Sequence, residues 1–226
     1  MISRLHPTSR HRATQSGNEM IEFALYSALM IPLLLWTFLA GFNLVRFNEC
    51  QEIDRDIANQ YIHGVDFSTY EAQQVAQRLA SGFNMQIGSS FTGNEANNSS
   101  NTGGNVYVVL SEVMYIGAGT CGTANPCTNE NKYVFIQQIG FGTQAIGTNS
   151  ANVTSKLGSL TATTSSSGIV QNILTDTGAV CTNCSGYFQT ALTDGQTAYV
   201  VEAFFSDPNL SFSSLPGGVL YTATFM

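Results

Sequence analysis

Between Phe23 and Phe42 the chain carries no charged residue, and nothing else in its 226 residues limits the fold so sharply. As a helix rising about 1.5 Å per residue, that run is about 30 Å long, the hydrocarbon thickness of a bilayer. The flanks point the same way. Arg4, Arg10 and Arg12 precede the run, and no acid occurs through Gly17, so this segment carries +3 and the remainder −10 against a total of −7. Clustered arginines before a span place the N-terminus in the cytoplasm and the rest of the chain outside. Pro32 lacks a backbone donor and is expected to kink the helix, which membrane spans tolerate. Trp36 and the phenylalanines suit lipid or neighbouring helices. A cleaved secretory signal, cut near Leu39-Ala40-Gly41, is the alternative, but its apolar region would be unusually long.

The length allows one domain, or a long helix plus one modest domain. A body so acidic is a poor nucleic-acid binder, because phosphate contacts need clustered Lys and Arg. The expected organisation is a basic leader over 1–17, without helical or strand period, a transmembrane and extended helix over 18–63, and an extracytoplasmic domain over 64–226. Leu44, Phe47, Ile53, Ile57, Tyr61 and Ile62 recur at helical intervals, and the lower half of that stripe is expected to pack on its own domain. Gly64 ends the helix. Ser68-Thr-Tyr-Glu71 has the spacing of a capping box opening a second helix, with Ala72, Val75, Ala76 and Leu79 on one face and Gly82 at its end. Residues 84–105 read as a loop. Val106–Ile116, 132–141, 199–205 and Val219–Phe225 read as strands. A weak strand near 146–153 and an ambiguous stretch over 169–174 complete the reading. Strands joined by loops rather than helices favour an antiparallel sheet. The fold class is therefore α+β: a long N-terminal helix extending into a small domain with a sheet of about four strands.

Few residues offer chemistry. His6, His11 and His63 are too scattered for a triad or metal cluster. Glu112, Glu202 and Asp207 could in principle supply a glycosidase-like carboxylate pair. The plainer expectation is solvated acids on strand faces. Gly140-Phe-Gly142 lacks the lysine and helix of a phosphate loop. No cofactor or metal is expected, and the chain is not expected to be an enzyme. Of five cysteines, Cys121, Cys127, Cys181 and Cys184 are expected to form two disulfides stapling loops in an oxidising compartment. Four cysteines allow three connectivities and the sequence does not choose among them, the local pairing of Cys121 with Cys127 and Cys181 with Cys184 being preferred. Zinc binding by the four, or redox chemistry at Cys181-x-x-Cys184, are the alternatives. Cys50 is left as a free buried thiol or an intermolecular link.

Glu22 is the exception. A carboxylate costs about 2–3 kcal/mol at mid-membrane and less near the edge, so something should offset it. If the chain is cut after Gly17, Asn18 acquires an α-amino group that can pair with Glu22, within one helix or between subunits. An intersubunit pair would let a subunit dock only at matching depth. The alternative is that Glu19 and Glu22 complement the helix dipole.

The stretch Gly17-Asn-Glu-Met-Ile-Glu22-Phe23 resembles the processing site of Flp-type pilins and of TadE/TadF/TadG-like pseudopilins of the bacterial tight-adherence system. Their pattern is Gly, four variable residues, Glu, then an aromatic. Met20-Ile-Glu-Phe-Ala24 resembles the opening of TadE-like spans, and Ala198-Tyr-Val-Val-Glu-Ala-Phe-Phe205 a late strand of the family. Asn18 as first mature residue, and Tyr26-Ser27 and Pro32 within the span, depart from the usual pattern. The resemblance implies a pilin-like fold and a minor pilus subunit or assembly factor. It implies processing after Gly17 by a prepilin peptidase and partnership with other pilins and the inner-membrane assembly machinery. The location implied is the bacterial inner membrane or the pilus. A single-pass adhesin or ligand-binding domain that never enters a fibre is the competing expectation.

Overall fold

The computed structural model describes residues 12–83, 85–87, 97–98, 104–123, 126–146, 152–188, 192–206 and 219–226, with backbone alone for 12–17 and 97–98. The chain groups into two compact units, Met1–Val45 and Arg46–Met226. Helix α1, Arg12–Ile62, contributes to both and continues unbroken past Pro32. Its start corrects the sequence reading, since residues 12–17 are helical rather than without periodicity.

In the second unit, α1 buries Cys50, Ile53, Ile57, Ala58 and Tyr61, which recur at three- and four-residue intervals along one face. The helix stops at Gly64, whose φ of +82° suits glycine. The Val65 N–H then closes onto the Gln60 carbonyl at 3.1 Å. Helix α2, Tyr70–Gly82, follows with Thr69 as its N-cap and no side-chain cap. The expected capping box does not form because Asp66 engages the residues that would build it. Its carboxylate accepts from the Ser68 N–H at 2.9 Å, and its carbonyl accepts from the Thr69 hydroxyl at 2.8 Å. The buried face of α2 is Ala72, Gln73, Ala76 and Ala80, whereas Val75 is 43% exposed. Alanines let α2 approach closely, and Gln73 satisfies itself by donating to the Phe67 carbonyl at 2.8 Å.

The sheet contains β1 (Asn97–Asn98), β2 (Val106–Ile116), β3 (Lys132–Gly142), β4 (Thr197–Ser206) and β5 (Val219–Phe225). Their order is β1-β3-β2-β4-β5. The four long strands pair antiparallel, while two-residue β1 adds a short parallel edge within the stretch read as a loop. Alternation sorts the side chains into two faces. Val106, Val108 and Leu110 of β2, with Val201, Ala203 and Phe205 of β4, join the α1 and α2 residues in one core. Tyr107, Val109 and Phe204 turn to the other face and pack with Ile146, Val153 and Tyr221. That second face is covered by irregular chain over 143–146 and 152–188, where isolated bridges join Ala145 to Asn152, Gln137 to Ile169 and Thr164 to Val170. Short helices α3 (Ala118–Cys121) and α4 (Cys184–Tyr187) sit in the cysteine-bearing segments. The domain thus has three layers: helices, sheet, and an irregular layer that the sequence leaves without periodicity.

Candidate functional site

The apolar run keeps its surface for something other than its own fold. Leu, Ala and Met favour the helix, and intrahelical hydrogen bonds satisfy Ser27, Thr37 and Asn43. The hydroxyls of Ser27 and Thr37 donate to the carbonyls of Ala24 and Leu34 at 3.0 and 2.8 Å. The Asn43 amide donates to the Leu39 carbonyl at 3.1 Å. Such back-bonding removes the penalty that free polar groups would carry in an apolar medium. The helix is long and apolar enough to cross a membrane, and none of its most apolar stretch is buried within the molecule. Phe23 is 75% exposed, Trp36 63% and Phe42 58%. Soluble proteins rarely expose a contiguous apolar surface of this kind.

Gly17 and Asn18 lie within α1, so the bond between them has helical backbone. Glycine is the weakest helix former after proline, by about 1 kcal/mol relative to alanine. It is therefore the easiest point at which to unwind this segment. Glu19 and Glu22 are exposed, and neither has a hydrogen-bond or ion-pair partner among the described residues.

The cysteines of the folded unit pair locally. Cys121–Cys127 and Cys181–Cys184 are disulfides with Cα separations of 5.8 and 5.5 Å. Both Cys181 and Cys184 are buried against Val113, Phe135, Leu157 and Val200, where they serve as core residues. Cys50 is a buried free thiol.

The acids depart most from expectation. Glu202 is fully buried rather than solvated. It sits on the β4 face that the irregular layer covers. One carboxylate oxygen accepts from the Ser155 hydroxyl. The other accepts from the Lys156 N–H at 2.8 Å and the Tyr221 hydroxyl at 3.0 Å. Burial raises its pKa, opposed by these donors and the Lys156 charge. Asp54 is also fully buried, between α1 and β5. The α1-facing and irregular-layer-facing sides of the sheet separate the two, so they do not converge on one substrate atom. Glu112 is half-buried on β2, with burial raising its pKa and a Tyr199 hydrogen bond lowering it. Asp207 lies outside the described residues. A cavity of about 60 Å³ lined by Tyr107, Gln138 and Ser155 is smaller than ligand pockets, which run to about 300 Å³ or more. Among the described residues, no group of three or more His, Cys, Asp or Glu side chains is placed to hold a metal ion.

Burial of Glu202 had one readable signal. It stands in an otherwise apolar run, Ala198 to Phe205, where an outward face would alternate with polar residues. No known protein family matches this sequence, and neither a curated protein nor a solved structure matches the chain.

Proposed function

We propose that this protein is a single-span envelope subunit of the tight-adherence pseudopilin type, acting as a minor pilus component or assembly factor. A basic leader stays cytoplasmic, and a prepilin peptidase removes it after Gly17. The mature helix then holds the subunit in the inner membrane with the sheet domain outside. Lateral association with the helices of other pilins and pseudopilins draws it into or beneath the fibre, with Glu22 and the new Asn18 amine setting depth.

The observation that carries this reading is the contrast along α1. The stretch bearing Gly17, Glu22 and Phe23 opens an apolar run of which nothing is buried among the described residues, while one face of α1 from Cys50 to Tyr61 is buried in a folded domain. That surface needs lipid, other helices, or both. A minor pilin uses them in turn.

The test is Glu22→Ala, scored twice. Membrane fractionation is expected to show normal insertion, because losing a carboxylate makes the span more apolar. Shearing surface fibres is expected to recover wild-type protein and none of the variant. Equal recovery of the two would sink the registration role of Glu22. Absence of both from sheared material, with stable anchoring in the envelope, would favour the anchored-adhesin alternative.

A further inference from the structure

Where α1 packs on β5, the core holds a carboxylate that its surroundings do not satisfy. Asp54 is fully buried. Its Oδ2 accepts from the Thr224 hydroxyl at 3.1 Å, while Oδ1 has no hydrogen-bond partner. One turn earlier on the same helix face, the Cys50 Sγ lies 3.7 Å from the Thr222 hydroxyl. Both threonines belong to β5, an edge of the sheet held on its other side by β4.

The groups around the site offer a carboxylate no positive partner, and only the β5 threonine hydroxyls favour the ion. From α1 comes the Cys50 thiol. From β5 come two threonines, with Tyr221 pointing to the opposite face. From β4 comes Glu202, also on the opposite face and repelling. The nearby α1 cations are elsewhere: Arg46 bonds to Glu49 at 2.8 Å and the Phe83 carbonyl at 2.7 Å, and Arg55 is exposed. A buried carboxylate favoured only by threonine hydroxyls and facing no cation is far easier to keep neutral than charged.

We propose that Asp54 makes the α1–β5 seam a proton-operated latch: β5 docks on the helix while the carboxyl is protonated, and ionisation drives the seam open. The latch lies within Arg46–Met226 and stands apart from the pilin reading. Burial pushes Asp54 up to about 7, against the pull of the Thr224 and Thr222 hydroxyls and with Glu202 adding to the rise. Opening therefore releases a proton between the ordinary carboxyl range and that value. Over this range the open fraction should rise about tenfold per pH unit, then level off.

Cys50 is a built-in reporter, since it is the free thiol and the other four cysteines are in disulfides. Full-length protein in detergent micelles is alkylated with a maleimide from pH 5 to 8, and adducts are counted by intact mass. Each rate is divided by that of Asp54→Asn at the same pH, which cancels the thiol's own ionisation. The ratio is expected to climb about tenfold per unit up to about pH 7 and then flatten, from one-proton linkage. Thr224→Val removes the hydroxyl that favours the ion and should move the flattening to higher pH. A ratio independent of pH, or faster labelling of Asp54→Asn than of wild type, would overturn the latch. Should Asp54→Asn fail to fold, an unchanged levelling point in Thr224→Val would overturn it equally.

Discussion

Glu202 fastens the irregular layer to the sheet, and its environment explains why an acid survives in an apolar strand. Its oxygens gather the Ser155 hydroxyl, the Lys156 N–H and the Tyr221 hydroxyl. Removing a buried acceptor strands its donors, so Glu202→Ala should lower unfolding stability by about 3 kcal/mol in urea titration. Glu202→Gln, which keeps one carbonyl acceptor, should cost less. Asp54 and Glu202 together predict a pH dependence. Both sit above the ordinary carboxyl range, so the folded domain holds more protons than the unfolded chain between about pH 4 and the folded values. Their contribution is complete only below the unfolded values of about pH 4. It is lost progressively as pH rises to about 7 for Asp54. Asp194 acts oppositely: the Thr120 hydroxyl and the Gly117 and Thr120 N–H groups hold it low, so its contribution is lost only in stronger acid. The melting temperature should fall by roughly 5–10 °C from pH 5 to pH 8, and Asp54→Asn should flatten that slope. The burial of Glu202 was legible only from the apolar run around it, since the covering layer, rich in Gly, Ser and Thr, shows no period. The burial of Asp54 was not legible, because a helix acid flanked by charged residues looks alike whether it faces water or a strand.

Elements whose side chains carry a period were legible. The limits of β2 and β5 coincide with their β-branched and aromatic runs, and β3 and β4 differ from expectation by one or two residues. The end of α1 at Gly64 was equally plain. Helix α2 was found but rotated, because a large Val75 suggested a core position where small alanines actually pack. Two-residue β1 has too little sequence to carry any pattern. Within α1, the two stretches should respond differently to the same chemistry. Ile57→Ala empties a site with no exposure and should cost about 2–5 kcal/mol of domain stability. Leu34→Ala, at a position 51% exposed, should leave the domain's unfolding within about 0.5 kcal/mol. The Cys181–Cys184 bridge closes a short loop inside a core cluster, so Cys181→Ala with Cys184→Ala should cost about 2 kcal/mol, read by denaturation.

At the scale of the whole chain, an apolar helix that buries none of its most apolar stretch in the molecule accompanies a compact acidic unit, Arg46–Met226. The helix was legible because twenty uncharged residues leave few other options, whereas the proposal that it enters a fibre rests on the short pattern from Gly17 to Phe23. That pattern makes a specific demand on the molecule's covalent form. The most direct test is the intact mass of the protein from cells with and without the cognate prepilin peptidase. The account predicts a mature chain beginning at Asn18 only when the peptidase is present. An uncut chain beginning at Met1 in both, or one beginning near Gly41, would contradict it.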